Sequence, residues 1–270
     1  MTTSISLSQC LPALSAFVRH LSDEYQNGNL TGWPQFRAAC EVFYSLQQLA
    51  GINSVIPGWQ KMASYDRQQT LIHVTAVLAG LYSLPEYQAC DAHQQMLIEW
   101  IVLWHDIAKE AHPDKRDHTH GFRSAAVTGK GLPSLGFAVQ SAYPIDFDAW
   151  YQQTHSAVTY SAALNDSIQD HRQLPDIITG IDRLFARDAA LIIKGVLLHM
   201  SLTVVERWPA AAPLTDDEIR RFISPELVPL LRVMMMADNL AWSLFDSDRA
   251  ADELQQIRAE FKRIEAMLKP

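Results

Sequence analysis

Residues 92–110 read AHQQMLIEWIVLWHDIAKE, a stretch in which apolar side chains fill most positions. Leu97, Ile101 and Trp104 recur at three- and four-residue spacing, which is the period of an α-helix. Asp91, with a glutamine three residues later, is typical of the capped start of a helix. Because a helix that is apolar on nearly all sides must be covered all round, we expect this one at the centre of a helical bundle.

The rest of the chain shows the same period, and no run of alternating residues bounded by hairpin turns predicts a strand. We therefore predict an all-α fold. A polar loop is expected over 111–118, a short helix from Thr119 or His120, and loops or short turns over the Gly- and Pro-rich stretch 127–146. The other predicted helices cover 35–50 with a stop at Gly51, 64–84 with a stop at Pro85, 146–164, 188–206, a short segment opened by the capping box of Thr215 and Glu218, 227–246 and 247–268.

The length of the chain suits one large helical domain with an appendage. Of its 270 residues 48% are hydrophobic, which is ample for a core, and we expect Trp100, Trp104 and Trp242 in that core. No linker is visible in the sequence. We divide the chain into an N-terminal helical extension over 1–60, packed on the core, and a helical domain over 61–270. The extension could shape a substrate entrance or form the surface of a homodimer.

The charge balance argues against an extended nucleic-acid surface. The chain has 22 Lys and Arg against 30 Asp and Glu, a formal net charge of −8. Cys10, Cys40 and Cys90 are odd in number and lack paired spacing, so we expect neither a disulfide framework nor a thiolate zinc site. No membrane span and no signal peptide is apparent, and we expect a cytoplasmic protein.

Three histidines and one aspartate interrupt apolar helical segments: His73 in LIHVTAVL, His105 in IVLWHDIAK, His199 in GVLLHMSL and Asp238 in VMMMADNLAW. A buried imidazole or carboxylate is costly unless it has a partner. Imidazole nitrogen and carboxylate oxygen together form the ligand set of divalent ions such as zinc, iron, manganese and magnesium. His105 and Asp106 point about 100° apart on a helix, so both reach one site only if the helix end presents them into a cavity.

His73, the doublet His105 and Asp106, and Asp238 occur in this order on predicted helices, with Lys109 three residues after the doublet. The order resembles the HD-domain superfamily of metal-dependent phosphohydrolases, over about residues 65–245. The motifs that carry it are RQQTLIHVTAV, VLWHDIAKE and MMADNLA. The resemblance implies an HD-like helical bundle in which the two histidines and two aspartates bind a metal ion.

Superfamily members that hold two metals have two further histidines between the doublet and the last aspartate. HTHGFRSA is similar to the segment with the first and indicates His120, whereas LLHMSL indicates His199. These two would bind a second ion, with Asp106 bridging. The resemblance thus implies one or two divalent ions, with Mn, Fe, Zn, Ni, Co and Mg all open. The alternative ligands are His118 in place of His120, and His155 or His171 in place of His199.

The resemblance also implies an activity, the hydrolysis of a phosphate ester or anhydride by a metal-activated water. Asp106 and Lys109 are then the expected catalytic residues. Lys109 and Arg123, with Lys130 as a further candidate, would hold the phosphate and offset its charge. The expected substrate is a nucleotide or a related small phosphorylated molecule.

Two other functions would use the same residues. HD proteins that resemble myo-inositol oxygenase use a two-iron centre to activate dioxygen and cleave a C–C or C–P bond, which requires all six ligands. A catalytically silent HD domain would bind a nucleotide as a sensor or act as a scaffold. The intact doublet and Lys109 favour an enzyme over the silent domain.

Overall fold

The computed structural model confirms the all-α fold. It describes residues 5–64, 68–110, 115–140 and 144–269, and this part of the chain forms fifteen α-helices and one two-stranded antiparallel sheet. Short 3₁₀ helices cover Leu132–Leu135 and His171–Gln173. The elements are α1 (Leu7–Cys10), α2 (Pro12–Gln26), α3 (Trp33–Phe43), α4 (Leu46–Val55), α5 (Trp59–Met62), α6 (Gln69–Ser83), α7 (Pro85–Gln88), α8 (Ala92–Trp104), α9 (His120–Gly131), α10 (Ile145–Ser156), β1 (Val158–Ser161), β2 (Asp166–Gln169), α11 (Leu174–Leu184), α12 (Arg187–Leu198), α13 (Asp216–Phe222), α14 (Leu227–Trp242) and α15 (Ser247–Met267).

Helices α6, α8, α12 and α14 form the centre of the fold. Helices α6 and α12 both pack against α8 and α14. Every residue from Met96 to Trp104 in α8 is buried, and so is every residue from Thr70 to Tyr82 in α6. The central position predicted for α8 is therefore confirmed. Any polar side chain on these helices must find its partner inside the protein.

The N-terminal helices pack on this centre. Helix α2 lies against α6, and α1 lies against α8. The indole nitrogen of Trp100 donates a hydrogen bond to the carbonyl oxygen of Ile5 at 2.8 Å. A guanidinium nitrogen of Arg19 lies 3.1 Å from the buried carboxylate of Glu99. Helix α3 contacts α6 as well, which brings this part of the chain beside His73. The domain boundary at residue 60 stays a prediction.

The single helix predicted over 35–50 is wrong, because the chain breaks between α3 and α4. Tyr44 leaves the helix and is buried, and its hydroxyl forms a 2.7 Å hydrogen bond with Thr75 on α6. Ser45 then caps α4 by accepting a hydrogen bond from the backbone nitrogen of Gln48. Gly51, which was predicted to end a helix, lies inside α4 instead.

The helix predicted over 146–164 is too long, and the expectation that the chain has no strand is wrong at the same place. Helix α10 ends at Ser156, after which β1 pairs with β2 from Val158 opposite Gln169 to Ser161 opposite Asp166. Val, Thr and Tyr in β1 favour a strand over a helix. Asn165 has a positive φ of 49°, a conformation that asparagine tolerates in tight turns.

The loops predicted over 127–146 are wrong for the first part of that stretch, where α9 continues to Gly131. The glycines here serve close packing between helices. A side chain at Gly129 would place its Cβ 2.7 Å from the ring of Trp150, and one at Gly131 would collide with the ring of Trp104. Gly129 and Gly131 therefore let α9 approach its neighbours closely.

The other helices differ less from their predicted bounds. The helix predicted over 188–206 ends early, since α12 stops at Leu198 and the chain turns, with Ser201 donating to the Leu198 carbonyl. Helix α15 closely matches the prediction of 247–268. Part of the polar loop predicted over 111–118, including His112 and Asp114, lies outside the described residues. None of the helices in the described part of the chain combines the length and apolar character needed to cross a membrane.

Candidate metal centre

The six predicted metal ligands lie together where five helices meet. Helix α8 ends just before the doublet, and α12 ends just before the histidine that follows it, so these ligands sit at helix ends. Because α8 ends at Trp104, the adjacent side chains of His105 and Asp106 can both face the metal centre. The ligands are His73 in α6, His105 and Asp106 after α8, His120 at the start of α9, His199 after α12 and Asp238 in α14.

The ligand atoms form two groups of three. Within each group the three atoms lie within 4.8 Å of one another. All six residues are buried except Asp238, whose side chain is 24% exposed. Buried nitrogen and oxygen atoms at this spacing could hold a metal ion. The first group is His73, His105 and Asp238, and the second is Asp106, His120 and His199.

Asp106 lies between the two groups. Its Oδ1 is 3.0 Å from Nε2 of His120, a ligand of the second group. Its Oδ2 is 3.7 Å from Nε2 of His105 and 3.8 Å from Nε2 of His73, both of the first group. The Nε2 of His73 is also 2.8 Å from Oδ1 of Asp238. Asp106 thus presents one oxygen to each group, which is the position of a bridging carboxylate.

Three of the histidines are oriented in the same way, by a hydrogen bond from Nδ1 to the backbone carbonyl three residues earlier. The pairs are His105 with Val102 at 2.7 Å, His120 with Asp117 at 2.8 Å and His199 with Val196 at 2.6 Å. Because a carbonyl oxygen only accepts, Nδ1 must carry the proton in each ring. In a neutral ring Nε2 then has a free lone pair, and such second hydrogen bonds are a regular feature of metal-binding histidines.

Among the described residues, two buried atoms at the centre find no hydrogen-bond partner. They are Nε2 of His105 and Oδ1 of Asp106. Buried polar atoms without a partner are rare, because each loses its hydrogen bonds to water and gains none inside the protein. Both are ligand atoms by type and both face the other ligands, so the residues present fit a bound metal ion.

The charges of the centre are those that metal binding needs. Burial alone raises the pKa of Asp106, but the ammonium of Lys109, 2.7 Å from Oδ2, holds this pKa well below its usual range. Burial also raises the pKa of Asp238, but its hydrogen bond with His73 and the charges of His73 and His105 together lower it by more. Burial lowers the pKa of His199 to about 3. Ionised carboxylates and a neutral imidazole are the ligand forms that bind a cation.

The three predicted phosphate-binding cations lie in different surroundings. Lys109 is at the metal centre and its side chain is 25% exposed, so it can contact a ligand there. Arg123 donates a hydrogen bond to the side chain of Asp117 and is occupied in holding the loop that leads into α9. Lys130 lies over the ring of Tyr151, 5.3 Å from its centroid.

The alternative histidines belong to neither ligand group. The ring of His155 stacks on Tyr151 with the centroids 5.7 Å apart. The Nε2 of His171 lies 3.2 Å from the hydroxyl of Ser201. His118 is absent from both groups of the described residues. The geometry therefore favours His120 and His199, the first choices from the sequence, over their alternatives.

Trp242 is not a core residue, contrary to the prediction. Its side chain is 44% exposed, and its ring stacks on His73 with a centroid distance of 4.4 Å and an interplanar angle of 25°. The ring stays exposed because Trp242 is the last residue of α14, beside the mouth of the metal centre. Its position four residues after Asp238 puts both on one helix face, a spacing that could have revealed it.

Comparisons with known proteins identify no relative. Searches against protein-family models, curated proteins and solved structures return no match to this chain. The chain's own residues and their geometry are therefore what indicates its function.

Proposed function

We propose that this protein is a metal-dependent phosphohydrolase of the HD type, which cleaves a phosphate ester or anhydride of a nucleotide or a related small molecule. The observation that carries the proposal is the position of Asp106, with one oxygen facing each of two groups of buried ligand atoms. The resemblance of the doublet and its lysine to the HD superfamily adds to it.

The proposal includes two divalent ions per chain. His73, His105 and Asp238 would hold one ion, and His120 and His199 the other, with Asp106 shared. Nitrogen and oxygen ligands without sulfur suit zinc, iron, manganese, nickel, cobalt or magnesium. When bound, such ions lower the pKa of a coordinated water and polarise a phosphoryl oxygen.

The protein's own groups would orient and neutralise the substrate. Lys109 holds Asp106 ionised from a distance of 2.7 Å, and its partly exposed ammonium can also contact a phosphoryl oxygen. The backbone carbonyls that bind Nδ1 of His105 and His199 keep these rings fixed while a substrate binds. Burial of the ligands excludes bulk water, which strengthens each of these charge interactions.

A second candidate is a two-iron oxygenase that cleaves a C–C or C–P bond. It requires all six ligands, and their arrangement in two groups of three supports that requirement. The nature of the metal separates the two candidates, since oxygen activation needs iron, whereas hydrolysis proceeds with several divalent ions.

The test is a panel of phosphate esters and anhydrides, including nucleoside mono-, di- and triphosphates, assayed with each candidate metal. We expect phosphate or nucleoside release that is lost in His105→Ala and Asp106→Ala and kept in the control His155→Ala. No release from any substrate by metal-loaded protein would overturn the hydrolase. Oxygen uptake by the iron form with a polyol or phosphonate would replace it with the oxygenase, and nucleotide binding without turnover would indicate a sensor.

A further inference from the structure

A cleft of about 180 Å³ opens beside the metal centre. Its lining combines two indole rings, one apolar side chain, one amide and one guanidinium with a single metal-ligand candidate. The residues are Trp33, Arg37, Gln69, Ile72, His73 and Trp242. Two of the six, Trp33 and Arg37, come from α3 in the N-terminal part of the chain.

Arg37 is a cation that has no counter-ion among the described residues. No described residue forms a hydrogen bond or ion pair with its guanidinium, although the side chain is half-buried. The charge of Arg37 acts on the thiol of Cys40, three residues along the same helix. Burial raises the pKa of that thiol to about 12, so it carries no charge at neutral pH. A half-buried guanidinium facing a cleft is a ready partner for an anion.

The aromatic walls offer a surface for a flat ring. Trp242 stacks on His73 with one face, and its side chain stays 44% exposed. Trp33 is held in place by edge contacts to Phe36 and Phe245, with centroids 5.6 Å and 5.3 Å away. Rings fixed in this way bind a flat partner at little cost in conformational entropy.

The lining of the cleft reaches the first ligand group but not the second. It shares His73 with the first ligand group and includes none of the second group, nor Lys109. If the phosphoryl group of a substrate is held at Asp106 and Lys109, the cleft is free to bind another part of that substrate. Arg37 would then meet an anion other than the reacting phosphate.

We propose that the cleft binds the non-reacting part of the substrate, a flat aromatic ring bearing a second anionic group, and that Arg37 recognises this anion. The inference rests on the proposed function for the role of the metal centre. It adds that α3 supplies specificity, so that the N-terminal helices are part of the binding site.

The test is calorimetric titration of metal-loaded protein with three probes that the hydrolase would not cleave. Inorganic phosphate measures binding at the metal centre alone. Phenylphosphonate adds an aromatic ring for the cleft, and 4-carboxyphenylphosphonate adds a second anionic group for Arg37. We expect affinity to rise along this series. Arg37→Ala should weaken 4-carboxyphenylphosphonate about tenfold and leave the other two probes within about twofold.

Matched variants separate recognition from damage to the fold. Arg37→Lys should recover part of the affinity, and Trp33→Ala should weaken both ring-bearing probes but not phosphate. Arg220→Ala, at an exposed arginine on α13, should change nothing. Melting temperature and bound metal should match wild type in every variant that is compared.

The outcomes distinguish this inference from the proposed function. Equal affinity of wild type and Arg37→Ala for all three probes would overturn the cleft as an anion subsite. If Arg37→Ala weakens the binding of phosphate as much as that of 4-carboxyphenylphosphonate, the subsite is overturned too, because Arg37 would then act at the metal centre. Arg37-dependent binding of 4-carboxyphenylphosphonate by a protein that hydrolyses no ester would keep the subsite and reject the hydrolase.

Discussion

The Nε2 atoms of His120 and His199 lie 3.1 Å apart, although 79 residues separate them in the chain. Both rings donate from Nδ1 to a backbone carbonyl, so in their neutral forms two lone pairs face each other. Burial lowers the pKa of His199 to about 3, which keeps this ring neutral. A cation shared by the two nitrogens turns this repulsive contact into two bonds.

Removal of His120 or His199 should therefore abolish binding of the ion in the second group and leave the ion in the first group bound. We expect His199→Ala and His120→Ala to retain about half of the wild-type metal content, measured by elemental analysis after reconstitution and desalting. Asp106→Ala should lose ions from both groups, because its two oxygens face both. His155→Ala, a histidine outside both groups, is the control, and metal loss in it equal to that in His199→Ala would refute the assignment.

A second prediction concerns the buried carboxylate of Glu99. It accepts hydrogen bonds from the hydroxyls of Tyr82 and Tyr87, each at 2.9 Å, and pairs with Arg19 at 3.1 Å. Glu99→Ala leaves two buried hydroxyls without this acceptor and an exposed guanidinium without its partner, and we expect it to lower the free energy of unfolding by about 3 kcal/mol. Urea denaturation measures this loss. Glu41→Ala, at an exposed site on α3, should change it by less than about 0.5 kcal/mol.

Two glycines in helices should respond to alanine in opposite ways. At Gly131 the new methyl group would collide with the ring of Trp104, and we expect a loss of about 1–3 kcal/mol in unfolding free energy. At Gly51, inside α4, a Cβ meets nothing within 4 Å, and alanine should stabilise by about 0.5–1 kcal/mol. Thermal and urea unfolding of both variants check this, and the same sign at both sites would contradict the packing described for α9.

A fourth prediction is a loss of stability in mild acid that depends on His171. Burial lowers the pKa of His171, outweighing the opposite effects of Glu218 and Asp170. The unfolded chain then takes up a proton more readily than the folded one, so stability falls as the pH drops below the ordinary value of about 6.5.

The slope that His171 contributes is at most about 1.4 kcal/mol per pH unit. His171→Gln keeps a polar group near Ser201 and removes the titration. Urea midpoints at pH 7.5 and 5.5 should therefore differ less in His171→Gln than in wild type. If the wild-type protein loses no more stability than His171→Gln between pH 7.5 and 5.5, the role given to His171 is wrong.

The helical centre and the clustering of the candidate ligands could be predicted from the sequence, because both depend on local patterns. The apolar run of α8 identified a helix buried all round, and polar residues inside such helices stood out as needing partners. His73, His105 and Asp238 were found in this way, and the structure brings their ligand atoms within 4.8 Å. The HD resemblance itself stays a prediction.

The features that were missed depend on contacts between distant segments. Gly129 and Gly131 look like turn residues in sequence, but they lie in α9 because two tryptophan rings pack against them. Tyr44 breaks a predicted helix because its hydroxyl reaches Thr75 on another helix. Arg37 carried no local signal, since its place beside His73 arises only from the packing of α3 against α6.

The central claim is that six side chains, five of them buried, hold two metal ions that share Asp106. Elemental analysis of protein purified without added metal, and again after reconstitution, tests it most directly. We expect about two divalent ions per chain in wild type, with loss from both groups in Asp106→Ala. A wild-type protein that binds no metal after reconstitution, or whose metal content is unchanged in Asp106→Ala, would contradict it.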